Sequence, residues 1–110
     1  MNRKEFASKI VKLYEEKGDV VLKALEVVES VSGYFTALRV LGFKYVDAKK
    51  YAVMNVIVRE LYVRLMMSAR ADVIEEKLKK VEESYRIRPD YEVIYDEILK
   101  TIESLGKPTK

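Results

Sequence analysis

An all-α fold, a compact bundle of four to five helices with a long central helix, is predicted for this 110-residue chain by three observations. Apolar residues recur three and four positions apart through most of its length, which is the spacing of one helix face. Only 4 Gly and 2 Pro are present, too little turn material for many short strands. Glycines and aspartates also stand where the apolar runs stop and start, as helix ends and caps require. The length suits one domain over residues 1–110.

In residues 4–17, Phe6, Ile10, Leu13 and Tyr14 form one stripe on a short helix. Gly18 stops it, and Asp19 is expected to cap the next helix by accepting from its free amides. That second helix runs to about Leu41 on a stripe of Val20, Val21, Ala24, Leu25, Val28, Val31, Phe35, Leu38 and Leu41. Ser30, Gly33 and Ala37 make a strip of small residues where another backbone can approach. Gly42 closes the helix, residues 43–46 connect, and Asp47 caps a third helix from Ala48. In residues 51–67 apolar side chains point in nearly every direction, so this third helix is expected at the centre, touching several neighbours. Near Ser68 the pattern changes: either a new helix starts there or helix three bends. Asp72 and Glu75 have the spacing of a capping box, and Ile74, Leu78, Val81 and Tyr85 form a narrow seam. Residues 86–89 break the pattern. Asp90 then caps a last helix whose buried face is Ile94, Ile98, Leu99, Ile102 and Leu105, ending at Gly106.

The chain has no His and no Cys, which removes Ser-His and Cys-His nucleophile pairs, thiolate and imidazole metal sites and disulfides. Di-iron bundle chemistry needs inward Glu-x-x-His pairs and is excluded with them. Glu15-Glu16, Glu75-Glu76 and Glu82-Glu83 are adjacent charges on helix faces, not carboxylates held apart across a cleft. No glycine-rich phosphate loop is present. No catalytic, cofactor or metal-ligating residue is assigned, and an enzyme is not expected. Gln is absent and Asn occurs only at positions 2 and 55, a composition expected of a thermophilic source. The opening Asn2-Arg3-Lys4-Glu5 does not lead into an export signal, so a cytoplasmic location is expected. Residues 51–67 contain Asn55, Arg59, Glu60 and Arg64 and are too short for a membrane span.

What remains is charge. Residues 1–32 carry net 0, residues 33–70 net +5 and residues 71–110 net −2, so all the excess of the +3 chain lies mid-sequence. A surface that attracts a polyanion needs such a concentration. Lys49 and Lys50 fall in the first turn of the third helix, where the helix dipole disfavours cations. Asp47 offsets part of that, and a phosphate at the helix start would offset more. Arg39, Lys44, Lys49 and Lys50 are therefore the first candidates for phosphate contacts, with Arg64 and Arg70 next. Arg86 and Arg88 alternate in what reads as an extended connection and form a secondary contact. Arg59 and Arg64, on the most apolar helix, need solvent or a carboxylate such as Glu60 or Glu26. Tyr34, Phe43, Tyr45 and Tyr51 lie nearby, where an exposed ring would offer an unpaired base a stacking face, although Tyr34 and Tyr51 at helical spacing read as core. The apolar third helix is a poor sequence reader, which argues against a helix-turn-helix regulator and for binding by shape and charge.

Ser32-Gly33-Tyr34-Phe35-Thr36-Ala37-Leu38-Arg39-Val40-Leu41-Gly42-Phe43, followed by Asp47-Ala48 and a long apolar helix carrying Arg59-Glu60-Leu61, resembles the small helical subunit of archaeal type I-A CRISPR surveillance complexes. The resemblance implies a non-enzymatic subunit that contacts other subunits of a ribonucleoprotein complex and guide RNA, DNA or both, with a role in antiviral defence. The alternatives are a helical protein-protein adaptor with possible self-association, drawn from the small-residue strip and the apolar third helix, and a small DNA-binding regulator without catalytic activity.

Overall fold

Five helices form where the apolar periodicity places them: α1 (Arg3–Lys17), α2 (Asp19–Val40), α3 (Ala48–Met66), α4 (Ala71–Tyr85) and α5 (Tyr91–Leu105). They are seen in a computed structural model that describes residues 1–44 and 47–106. Tyr45 and Val46, within the predicted connection, lie outside the described residues.

Local chemistry accounts for most of the ends. Asn2 Oδ1 accepts from the Glu5 amide at 2.8 Å and starts α1. Asp47 Oδ1 accepts from the Lys50 amide at 3.0 Å, and Asp90 Oδ1 from the Val93 amide at 3.2 Å, so both predicted aspartate caps form. Such caps are worth about 1 kcal/mol each. Gly42, at φ 103, ends α2 with the Phe43 amide donating to the Leu38 carbonyl. The same closure ends α3 without glycine: Ser68 takes φ 55 and the Ala69 amide donates to the Arg64 carbonyl. Helix three therefore stops, and α4 is a new helix.

Two expected caps do not form. Gly18, at φ 67, is itself the residue preceding α2, which puts Asp19 inside the first turn, where it complements the dipole instead of capping. Arg70 precedes α4, so Asp72 also sits within the first turn and no capping box with Glu75 is made. Asp72 instead accepts from the Arg70 guanidinium and the Val73 amide.

The helices make a slab of 44 × 40 × 23 Å, whose short dimension matches two helix layers of about 10–12 Å each. The long central helix is α2 and not α3: α2 packs on α1, α3 and α5, whereas α3 packs on α2 and α4. Side chains from all five helices, among them Phe6, Ile10, Leu25, Ile57, Leu61, Leu78 and Ile98, fill one core. Asn55 crosses from α3 to donate to the Glu29 carbonyl at 2.8 Å and to Ser32 Oγ at 3.3 Å, which lets the buried Ser32 be satisfied. Of the predicted small strip, only Gly33 faces another helix, at Asn55; Ser30 and Ala37 are exposed.

Stripe residues that lie past the core stay in solvent. Val31, Leu41, Tyr85 and Leu105 are exposed although their periodicity marks them as buried. Leu41, Tyr85 and Leu105 stand in the last turn or at the cap of their helices, beyond the reach of a covering neighbour.

A polar knot ties α1, α4 and α5. Glu82 Oε2 accepts from Arg3 Nη1 at 3.0 Å and from the Tyr91 hydroxyl at 2.6 Å. Burial, and then the bond to Glu82, push the Tyr91 hydroxyl well above its ordinary range. Because the folded state holds this proton more tightly than the unfolded chain, its contribution is complete below pH ~10 and declines as pH rises past that value. Tyr91→Phe is expected to cost about 1.5 kcal/mol at pH 7, the low end for a bond to a charged acceptor because Glu82 keeps Arg3. Urea denaturation at pH 7 and at pH 11 checks this, the variant losing less stability than the parent between the two.

Candidate nucleic-acid interface

The first turn of α3 and the loop joining α4 to α5 face each other across a cleft of about 520 Å³. Two local devices set this up. Arg86 adopts the left-handed conformation, φ 52, and the Ile87 amide donates to the Glu82 carbonyl, which ends α4 sharply. Pro89 and the Asp90 cap then start α5. With both ends pinned, the short segment presents Arg86 and Arg88 to the cleft. Arg86 and Arg88 are thus not neighbours of an alternating extended strand; one belongs to a helix terminus and the other to the loop.

Lys49 and Lys50 line the same cleft, so four of the predicted cations, drawn from two distant stretches of sequence, converge. None of the four makes an ion pair among the described residues. Lys50 Nζ also lies 5.4 Å from the centre of the Tyr51 ring, a cation–π contact. Asp47 and Asp90 are the acidic members of the lining, each engaged in its cap. Beneath the charges lies an apolar floor that includes Val53, Met54, Ile87, Pro89, Val93 and Ile94.

Beside this cleft runs an aromatic row. Tyr51 stacks on Phe35 at 4.7 Å, and Tyr34 meets Phe35 edge-on at 5.6 Å. Tyr51 is half-buried, but Tyr34 is 62% exposed, so the core assignment fails for Tyr34. Tyr34 continues the α2 edge marked by Val27 and Val31, which line an open groove with residues of α3 and α5 and are themselves 40% and 47% exposed.

The remaining predicted cations do not join the cleft. Arg39 and Lys44 are exposed at the α2–α3 turn without ion pairs among the described residues, flanking Val40, Leu41 and Phe43, which are 82%, 75% and 55% exposed. Arg64 lies roughly 21 Å along α3 from Lys50, from the helical rise. Its Nε donates to Glu60 at 2.9 Å, the pairing its spacing allowed. Arg59 pairs with Glu29 at 3.4 Å, while Glu26 accepts from Tyr62 instead. Arg70 is held by Asp72 at 3.1 Å. That last pair is exposed and so contributes little, about 0–1 kcal/mol.

The cleft floor was not found from the sequence, where Ile87 and Val93 stand outside the apolar stripes. Val93 immediately precedes a stripe residue, and Ile87 lies between two arginines, which is the only trace of it in the chain. Among the described residues no group of His, Cys, Asp or Glu gathers to hold a metal ion, and no helix is long and apolar enough to cross a membrane. Chemically the arrangement offers four cations without ion pairs among the described residues beside an apolar lining. Comparison with protein families, with curated proteins and with solved structures found no match to this chain.

Proposed function

We propose that the chain is a non-enzymatic subunit of a ribonucleoprotein assembly that contacts a sugar-phosphate backbone through the cleft cations. The observation that carries this reading is the meeting of Lys49 and Lys50 with Arg86 and Arg88 around one cleft, unpaired by acids among the described residues. Unneutralised cations gathered on one surface repel each other and gain from an anionic partner. The resemblance of residues 32–43 and the start of α3 to the small subunit of archaeal type I-A CRISPR surveillance complexes supports a setting in which guide RNA supplies sequence specificity. The chain then touches the guide–target hybrid or the displaced strand without reading bases.

The test is a salt titration of binding to a labelled single strand. Each neutralised phosphate contributes about −0.7 to the slope of log K against log salt, so four contacts give about −2.8. A slope near zero rejects the reading. Pull-down of the tagged protein from its host, with RNA and proteins identified together, tests the assembly: short guide RNAs and large complex subunits are the expected companions.

The exposed apolar tip at Val40, Leu41 and Phe43 favours a second reading, a helical adaptor that docks on another protein or on its own copy. Such an adaptor self-associates or requires a partner, and binds no nucleic acid. A monomer of constant mass across concentration in sedimentation, with salt-dependent strand binding, excludes it.

A further inference from the structure

We infer that the cleft between α3 and the α4–α5 loop receives one unpaired nucleobase of a single strand, with the flanking phosphates held by the lysine pair on one wall and the arginine pair on the other. This rests on the backbone-contact reading above and specifies the form of nucleic acid. The cleft chemistry separates into layers. Its floor is apolar: Met54 and Ile94 are 5% and 3% exposed, Pro89 is buried, and Val53, Ile87 and Val93 are half-buried. A phosphate gains nothing from such a bed, whereas a flat, weakly polar ring removes it from water.

Asp47 and Asp90 sharpen the distinction. Both line the cleft, each using one carboxylate oxygen for its helix cap at 3.0 and 3.2 Å. Their negative charge disfavours a phosphate inside and keeps it at the rim, while a carboxylate is a good acceptor for an exocyclic base amine. The ligand that suits an apolar floor, internal acceptors and cations on two walls has an uncharged planar group between two anions. A nucleotide within a strand has that form. A duplex does not, because its bases are stacked inward and only its phosphates reach the rim. The cleft volume of about 520 Å³ falls within the ordinary range for small-ligand sites, about 300–1,000 Å³. Tyr51, already stacked on Phe35, is less available as a stacking platform than the floor itself.

The experiment uses the full chain and four probes of equal length at 50 and 200 mM salt: a single strand, the same strand with one central 2-aminopurine, the same strand with abasic sites throughout, and the duplex. The single strand is expected to bind about tenfold more tightly than the abasic strand and than the duplex. The 2-aminopurine emission is expected to rise on binding as the base leaves its stack. Equal affinity for all probes, salt-dependent but with unchanged emission, overturns base insertion and leaves backbone contact standing. No binding to any probe overturns both.

Discussion

Replacing Lys49, Lys50, Arg86 and Arg88 together with glutamate is expected to abolish salt-dependent strand binding while leaving the fold intact. With four phosphates neutralised, the parent loses about 50-fold in affinity between 50 and 200 mM salt. The variant shows almost no slope, and at 50 mM its affinity is lower by about 100-fold or more, since each attractive contact becomes repulsive. Unfolding does not account for this loss, because the lysine changes favour the helix. Lys49 and Lys50 occupy the first turn of α3, and acids there gain about 0.3–1 kcal/mol each from the dipole. Glutamate at position 50 also stands three residues after the Asp47 cap, the position from which a side chain reaches back to the cap amide. The gain at the start of α3 offsets the cost of an acid at the C-terminus of α4, where Arg86 stands, so the melting temperature is expected to change by only a few degrees as binding vanishes. Fluorescence anisotropy and thermal denaturation on one preparation check both halves. The paired arginines supply the contrast: changing Arg64 and Arg70 to alanine shifts strand affinity by less than about twofold, because Glu60 and Asp72 already hold them. A loss as large as that of the cleft variant would move the interface to the far end of α3.

The largest expected effect on stability belongs to Phe6→Ala. Phe6 is fully buried, with its ring 4.8 Å from that of Tyr91 and 6.4 Å from that of Tyr95, so it fastens α1 to α5. Truncating such a ring removes its transfer energy and leaves a cavity, together about 3–5 kcal/mol. For a domain of this size, that lowers the melting temperature by roughly 15–30 °C. Leu41→Ala is the matched comparison. Leu41 sits on the same sequence stripe as the buried Leu25 but is 75% exposed, and its truncation is expected to change stability by no more than about 0.5 kcal/mol. Chemical denaturation of the two variants distinguishes them, and equal losses would mean that the α2 terminus is covered in solution. That result would also point to a partner or second copy seated on Val40, Leu41 and Phe43.

What the amino-acid order determined by itself is the part of this protein governed by neighbours in sequence. The all-helical class follows from apolar spacing, the starts of α3 and α5 from Asp47 and Asp90, the end of α2 from Gly42, and the Glu60–Arg64 pair from one helical turn. The cationic residues were individually visible for the same reason. Tertiary packing alone decided which stripe residues are covered, because periodicity marks a face but not how far the opposing helix extends; Leu25 is enclosed and Leu41 is not. It also decided that Arg86 and Arg88 stand beside Lys49 and Lys50, since no local rule brings the start of α5 alongside the start of α3. The cleft is a property of that juxtaposition: packing gathered four of the eight predicted cations around it and left Arg39, Lys44, Arg64 and Arg70 elsewhere.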